Sequence, residues 1–327
     1  MSKMQRIEIA AHGGTDQMKL QERDISTLQA GQILVRHEAI GVNFIDTYHR
    51  TGLYPVPSLP SGLGGEAAGV VEAIGENVEH VKVGDRVAYC SGPIGSYATH
   101  NVIAADSAVL LPNSISSKQA AASLLKGLTV QYLIRQIYPV KAGETVLFHA
   151  AAGGVGTLAV QWLKHIGVEV IGTVGSDDKA DLVRKLGCDH IINYRKDVVS
   201  EKVDQITDGA KLPVVFDGVG KDTFADSLKC LHRRGLMVSF GNASGPVDGV
   251  NLGILASHGS LFVTRPTLYD YIPTRPDLEQ AANDFFAAIS AGGIKIADPA
   301  EYALQDAARA HEDLQARLTT GSIILVP

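Results

Sequence analysis

Residues 144–176 read ETVLFHAAAGGVGTLAVQWLKHIGVEVIGTVGS, and the order of apolar run, glycine turn, amphipathic stretch and second apolar run decides the fold. Val146-Leu147-Phe148 suits a strand buried on both faces. Ala151-Ala152-Gly153-Gly154-Val155-Gly156 is a G-x-G-x-x-G fingerprint with alanine in the first place. Gly153 lets the backbone approach a pyrophosphate, and Gly156 lets the following helix lie close to its strand. The unpaired N–H groups at the start of that helix attract phosphate charge. Glycine triplets also make plain tight turns, so the motif needs its context. The strand before it and the amphipathic Leu158 to His165 helix after it supply that context, and the stretch predicts a dinucleotide site.

Working outward, 327 residues exceed the size at which one core usually stops growing, which predicts two domains. With 45% hydrophobic and 20% charged residues the composition is that of a soluble protein. The 29 basic and 35 acidic residues give a net charge of -6 with no block of like charge, which argues against a nucleic-acid partner. Met1 to Ile9 lacks the apolar run of a signal peptide and no run has the length of a membrane span, so a cytoplasmic location without membrane association is expected. Cys90, Cys188 and Cys230 are too few and too scattered for a disulfide framework or a four-thiolate zinc site.

From Arg6 to about Leu111 short alternating segments are punctuated by glycine and proline: Ile33-Leu34-Val35, Gly69-Val70-Val71, Asp85 to Tyr89 and Ser96-Tyr97-Ala98. That is a mostly β region. A helical pattern from Ala120 to Gln136 leads into strand and helix alternation, with further strands at Ile191-Ile192, Val214-Val215-Phe216, Met237-Val238-Ser239 and Leu261-Phe262-Val263. That is a doubly wound parallel α/β sheet. Helices at Leu278 to Ser290 and Ala307 to Leu318 and a strand at Ile323 to Val326 complete the chain. The expected division is 1–125 with 266–327 as one domain and 126–265 as the dinucleotide-binding domain.

Gly64-Gly65-Glu66-Ala67-Ala68-Gly69-Val70-Val71-Glu72-Ala73-Ile74-Gly75, followed by Val83-Gly84-Asp85-Arg86-Val87, resembles the medium-chain dehydrogenase/reductase superfamily over nearly the whole chain. Gly41 to Tyr48, Gly52 to Pro55, Leu125 to Thr129 and His149 to Gly156 resemble its quinone oxidoreductase, ζ-crystallin-like, branch. Arg233 to Asn242 is similar to the corresponding run of bacterial NADPH-dependent quinone reductases. The resemblance implies a GroES-like first domain and a Rossmann second domain. Zinc alcohol dehydrogenases of the superfamily carry cysteine, histidine and cysteine where this chain has Asn43, Gly65 and Lys126, so no catalytic metal is expected. The remaining histidines show no ligand spacing. A metal-free site suits an acceptor that is already electrophilic.

NAD sites place a carboxylate at the end of the second strand to hold the ribose 2′-OH. Here that strand ends Gly172-Thr173-Val174-Gly175-Ser176, while Ser176, Lys179 and Tyr194 look like the family's 2′-phosphate contacts, which implies NADPH. Asp177 and Asp178 would repel a phosphate unless they turn to solvent or cap the next helix, and Asp177 suits an N-cap.

The resemblance implies further roles. Asn43, Asp46 and Tyr48 lie on a loop facing the nicotinamide, with Phe44 and Ile45 beside them. Asn43, Tyr48 and Tyr54 frame a pocket whose base is Lys126 and Thr129, where the tyrosines suit a planar guest. Tyr132, Val219, Phe240, Gly241, Asn242, Phe262, Val263 and Arg265 join Gly153 to Gly156 and Gly175 around the cofactor, and Arg317 reaches it from the last helix. The implied reaction is hydride transfer from NADPH to a quinone in an interdomain cleft. Reduction of α,β-unsaturated carbonyls, and a non-enzymatic crystallin-like or RNA-binding role, stay open. The strand near 259–265 would form a sheet edge, which predicts a homodimer paired through it.

Overall fold

The computed structural model describes residues 3–327. Met1 and Ser2, which open the first predicted domain, lie outside the described residues. Two units emerge: Met1–Lys126, Ile272–Ala282 and Ile296–Pro327 form one, and Gly127–Tyr271 with Asn283–Lys295 the other.

The first unit is built around the strand Gln32–Val42, whose alternation buries Ile33, Val35, Ile40 and Val42. It pairs antiparallel with Glu66–Ile74, His100–Ala104 and the C-terminal strand Ile323–Val326. The inward side chains meet Ile7, Ile9, Leu63, Val87, Tyr89 and Leu325 in one core. Ser96-Tyr97-Ala98, expected as a strand, instead bends and makes a single bridge from Ala98 to Arg6. Its backbone divides its bonds, Tyr97 N–H going to Leu63 O at 2.9 Å and Tyr97 O to Ile7 N–H at 2.8 Å, so no ladder propagates.

Among the described residues the second unit holds a six-stranded parallel sheet. Its order is His190–Asn193, Glu169–Val174, Thr145–Phe148, Leu212–Asp217, Leu231–Ser239, Phe262–Thr264. The chain runs outward from Thr145–Phe148 in one direction and then returns to its other side. The strand order thus reverses beside the fingerprint turn, which is where doubly wound sheets open a crevice at their carboxyl ends. Leu147, Ile171, Ile192, Val215 and Met237 fill one core face, each worth roughly 1.5–3 kcal/mol on burial.

The helix Ser117–Gln131 runs into a π-helical turn, Tyr132–Ile137, with the Tyr132 ring stacked on Tyr271 at 4.7 Å. The reading that kept all of 266–327 with the first domain needs correction at two segments, since residues 266–271 continue the second unit up to Tyr271 and Asn283–Lys295 returns to it. In the helix Arg275–Ser290, Phe285 packs 6.0 Å from Trp162 and Asp284 accepts from Gln131 Nε2 at 2.9 Å, which draws Asn283–Lys295 into the second unit. No helix among the described residues is long and apolar enough to cross a membrane.

Candidate active site

The fingerprint turn joins strand Thr145–Phe148 to helix Gly154–His165. Gly153 is the N-cap, and no side chain caps the helix, so its first N–H groups are left for a ligand's charge. A Cβ on Gly156 would press on Ala150 O and lie 2.7 Å from Ala151 Cα. On Gly153 the single near atom would be Ala150 O at 3.2 Å, a much milder approach than at Gly156.

A buried polar web holds the turn, which includes Ala150 in the left-handed region at φ 53. Thr173 Oγ1 accepts Ala150 N–H at 3.1 Å and meets His149 Nδ1 at 3.1 Å. His149 Nε2 meets Ser227 Oγ at 2.9 Å, and Ser227 donates to Asp217 Oδ2 at 3.1 Å. Asp217 Oδ1 in turn accepts the N–H groups of Val219 at 2.7 Å and Gly220 at 3.1 Å. Burial holds the His149 imidazole below its ordinary value, so the neutral ring serves as a bridge. The loop carrying Val219 is therefore tied to the fingerprint turn through Thr173, His149, Ser227 and Asp217, to which the sequence patterns assign no role.

At the end of Glu169–Val174 the chain turns through Gly175 into helix Asp177–Lys185. Ser176, not Asp177, is the cap, its Oγ accepting Lys179 N–H at 3.4 Å. Asp177 begins the helix, where its exposed carboxylate accepts from Lys196 Nζ at 2.7 Å and Asn193 Nδ2 at 3.1 Å. The Lys196 contact holds the Asp177 carboxyl below the usual carboxylate range. Its charge is thus answered by a cation at the helix start, and Asp178 faces solvent. Tyr194 closes over Gly175, whose Cβ would lie 2.9 Å from Tyr194 Cζ. Gly175, Ser176, Tyr194 and the half-buried Lys179 gather at the carboxyl end of one strand.

Phe240, Gly241 and Asn242 follow Leu231–Ser239, and the Phe240 ring stands 5.7 Å from Phe148. Ser244 N–H to Val219 O at 2.8 Å closes this loop on its neighbour. Phe262 and Val263 lie on the exposed edge strand, and Arg265 Nη1 donates to Ser239 O at 2.7 Å, pinning the end of that strand.

In the first unit Asn43 is the N-cap of helix Phe44–Thr51, so Phe44, Ile45, Asp46 and Tyr48 stand on a helix rather than the expected loop. The reason is local: an asparagine in extended conformation with an acid three residues on makes a capping pair, Asp46 Oδ2 accepting Asn43 N–H at 2.8 Å. Asp46 does not face outward. It is 1% exposed, accepts Tyr97 OH at 2.9 Å, and Tyr97 OH lies 2.9 Å from His311 Nε2. Burial pushes the Asp46 carboxyl up to about 7 and the His311 imidazole down to about 3. Tyr48 and Tyr54 are half-buried and meet edge to face at 5.2 Å, an aromatic wall.

Against Asn43 lies Glu66, fully buried. Its Oε2 accepts Asn43 Nδ2 at 2.8 Å, its Oε1 accepts Leu125 N–H at 2.7 Å, and Lys126 Nζ stands 3.6 Å from Oε2. Gly41 admits this carboxylate, since a Cβ there would lie 2.7 Å from Glu66 Cδ. Thr129 is buried one turn on from Lys126 in the helix Ser117–Gln131. Arg317 is not on the last helix, which ends at Gln315. Leu318 N–H to Asp313 O and Arg317 N–H to Leu314 O, both 3.1 Å, close a Schellman turn with Arg317 exposed at φ 59. Among the described residues no three His, Cys, Asp or Glu side chains gather as a metal site.

The family profile described as zinc-binding dehydrogenase matches residues 154–287, and that of the alcohol dehydrogenase GroES-like domain matches residues 29–113. The quinone oxidoreductase of Salmonella typhimurium is 55% identical over 324 residues, covering 98% of this chain and 99% of its own. The chain belongs to the zinc-independent quinone oxidoreductase family. Another quinone oxidoreductase, the Escherichia coli protein whose crystal structure is complexed with NADPH, superposes with a TM-score of 0.95 at 52% identity, covering 99% of this chain and 100% of that one. The 2-haloacrylate reductase of Burkholderia sp. is 41% identical over 322 residues, 96% of each chain. A Rossmann-type unit beside a GroES-like unit is the architecture of the quinone oxidoreductases, as the motifs imply. The zinc-binding name is that of the family profile; in this chain Asn43 and Lys126 meet Glu66.

Proposed function

We propose that this protein is an NADPH-dependent quinone oxidoreductase, transferring hydride from NADPH to a quinone. The observation that carries the reading is the end of the second parallel strand. Ser176, Lys179 and Tyr194 gather there beside the fingerprint cradle, and of the two carboxylates at the helix start Asp177 is held by Lys196 while Asp178 is exposed. A 2′-phosphate finds a cation and hydroxyls there, whereas an NAD site needs a free carboxylate. The quinone oxidoreductase relatives above support the same acceptor class.

NADPH, when bound, supplies the two electrons and the hydrogen. The protein binds its pyrophosphate at the uncapped start of helix Gly154–His165 and the rest along Val219, Phe240, Gly241 and Asn242, with Tyr132, Arg265 and Arg317 as further contacts. Phe44, Ile45 and Asn43 orient the nicotinamide end, Tyr48 and Tyr54 offer aromatic faces to a planar acceptor, and Lys126 and Thr129 form the floor. Proximity in a dry, shaped slot is the larger part of the protein's contribution.

The 2-haloacrylate reductase relative favours a second reading, reduction of an activated carbon–carbon double bond. Oxidation of NADPH and of NADH with 1,4-benzoquinone, a naphthoquinone, 2-chloroacrylate and an unsaturated ketone decides between them. Fast NADPH-specific turnover of the quinones is expected. Turnover of the chloroacrylate or enone alone transfers the assignment to the second reading. We also propose a homodimer through the edge strand Phe262–Thr264, where Phe262 is 60% and Val263 39% exposed and the backbone edge is open to pairing.

A further inference from the structure

Lys126 presents a physical problem that the binding roles above leave unsolved. The residue is 5% exposed, and its Nζ is enclosed with no hydrogen-bond partner in the protein. A buried charge of this kind is retained only if it is paired and its donors are used. The pairing is present at a distance. Glu66 Oε2 lies 3.6 Å away, beyond hydrogen-bond distance, and accepts Asn43 Nδ2 while Oε1 accepts Leu125 N–H. The other titratable groups that feel the ammonium are Asp46 and Cys90, both buried in the same unit. Glu66 therefore supplies the countercharge at ion-pair distance, and the ammonium's N–H groups are left without a protein acceptor.

We propose that Lys126 is the electrophile and proton donor of the reaction, and that Glu66 is the positioning residue that keeps its ammonium charged and its donors free for the acceptor's oxygen. The inference rests on the quinone reductase reading. As the acceptor gains two electrons and one hydrogen, negative charge collects on a ring oxygen, and an ammonium N–H directed at that oxygen stabilises it. One N–H bond then breaks as the O–H bond of the quinol forms, and the neutral amine takes a proton from solvent. The sum is quinone, NADPH and one proton giving quinol and NADP+. Fixed protein dipoles do in this site what a Lewis acid does in a metal enzyme, and the least electrophilic acceptors depend on it most.

The test compares Lys126→Met, Glu66→Gln and the double variant. Lys126→Met should lower kcat with a naphthoquinone about 100-fold, the cost of removing one oxyanion donor, and with 1,4-benzoquinone by less, leaving the NADPH dissociation constant within threefold. Glu66→Gln should move the alkaline limb of the kcat profile to lower pH, a change that loss of packing alone does not produce. Binding of 4-nitrophenolate, an anionic stand-in for the quinol oxygen, read from its visible absorption without any turnover, should weaken at least tenfold in Lys126→Met. If that variant does not fold because Glu66 is left unpaired, the neutral double variant carries the same measurements. Unchanged kcat across acceptors together with unchanged phenolate binding in either variant overturns the proposal. A wild-type protein that oxidises NADPH with no quinone sinks the underlying reading instead, so the two failures are told apart.

Discussion

Gly156→Ala and Gly153→Ala should part company, although both residues belong to one motif. The added Cβ on Gly156 would lie 2.7 Å from Ala151 Cα and from Ala151 C, where ordinary contact begins at 3.4 Å. The helix start must therefore withdraw by roughly 0.7 Å, because the atoms it meets are backbone. The turn cannot follow freely, since Ala151 N–H is bonded to Thr173 O at 3.0 Å and Gly153 N–H to Ala150 O at 2.9 Å. A phosphate bond of about 2.9 Å stretched to about 3.6 Å is no longer a hydrogen bond. Two such charge-assisted bonds at about 1.5 kcal/mol each give about 3 kcal/mol, or more than a hundredfold in NADPH affinity. Overpacking costs stability as well, about 1–3 kcal/mol. At Gly153 the φ of -79 accepts a side chain and the nearest protein atom, Ala150 O, is 3.2 Å off, about 0.2 Å inside ordinary contact, so alanine there should cost far less stability than at Gly156 while its methyl intrudes on the ligand's space. NADPH fluorescence titration and urea unfolding measure the two quantities. A Gly156→Ala protein that binds NADPH within threefold of wild type at an unchanged urea midpoint would refute the steric argument.

Lys179→Met should weaken NADPH binding about tenfold and leave NADH binding unchanged, as expected for a half-exposed charge-assisted contact to a 2′-phosphate, read by parallel titrations with the two cofactors. Asp177→Asn should change NADPH affinity by less than threefold, because Lys196 already answers that carboxylate. His311 is buried neutral, with its value lowered from 6.5 to about 3 by burial and then by Arg50. The unfolded chain therefore takes up a proton below pH 6.5 that the native state refuses, and stability falls with pH. His311→Gln, which can still donate to Tyr97, should remove about 2 kcal/mol of the loss between pH 6.5 and 5, measured by urea unfolding at both pH values. The Asp46 carboxyl, raised to about 7, works in the opposite direction and is common to both proteins. Val263→Asp on the exposed edge strand should convert the proposed dimer to monomer in light scattering, with its fold intact by circular dichroism.

What the sequence discloses about the fold depends on how local the cause is. Val146-Leu147-Phe148 and the glycines after it specify strand, turn and helix because burial on two faces and the need for close approach act within a dozen residues. Ser96-Tyr97-Ala98 alternates like a strand, yet its backbone bonds run to Leu63 and Ile7, far off in the chain, and no local pattern announces that. The helix Arg275–Ser290 shows its period clearly, but only the partners of Asp284 and Phe285 assign its second half to the other unit. The capping of Phe44–Thr51 is legible in the Asn43 and Asp46 spacing, which marks a helix start where a loop is expected.

The site divides in the same way. The fingerprint residues are visible because glycine is a steric requirement, whereas Glu66 and Asp217 act through partners that folding brings in from elsewhere. Asn43 and Leu125 reach Glu66, and Thr223 and Ser227 reach Asp217. A usable signal is nevertheless present. Glu66 opens the small apolar run Glu66-Ala67-Ala68-Gly69-Val70-Val71, and Asp217 closes Val214-Val215-Phe216-Asp217. A carboxylate continuous with a buried apolar run of a strand cannot remain unpaired in that environment, so it must be met by donors or by a cation. Applied to both residues, the rule requires a cluster of donors at the end of the fourth parallel strand and a cation or amide at the start of Glu66–Ile74. The first is the web that holds the Val219 loop, and the second is Asn43 with Lys126. The carboxylates that organise both sites are thus the residues whose burial would cost most if they had no function to position.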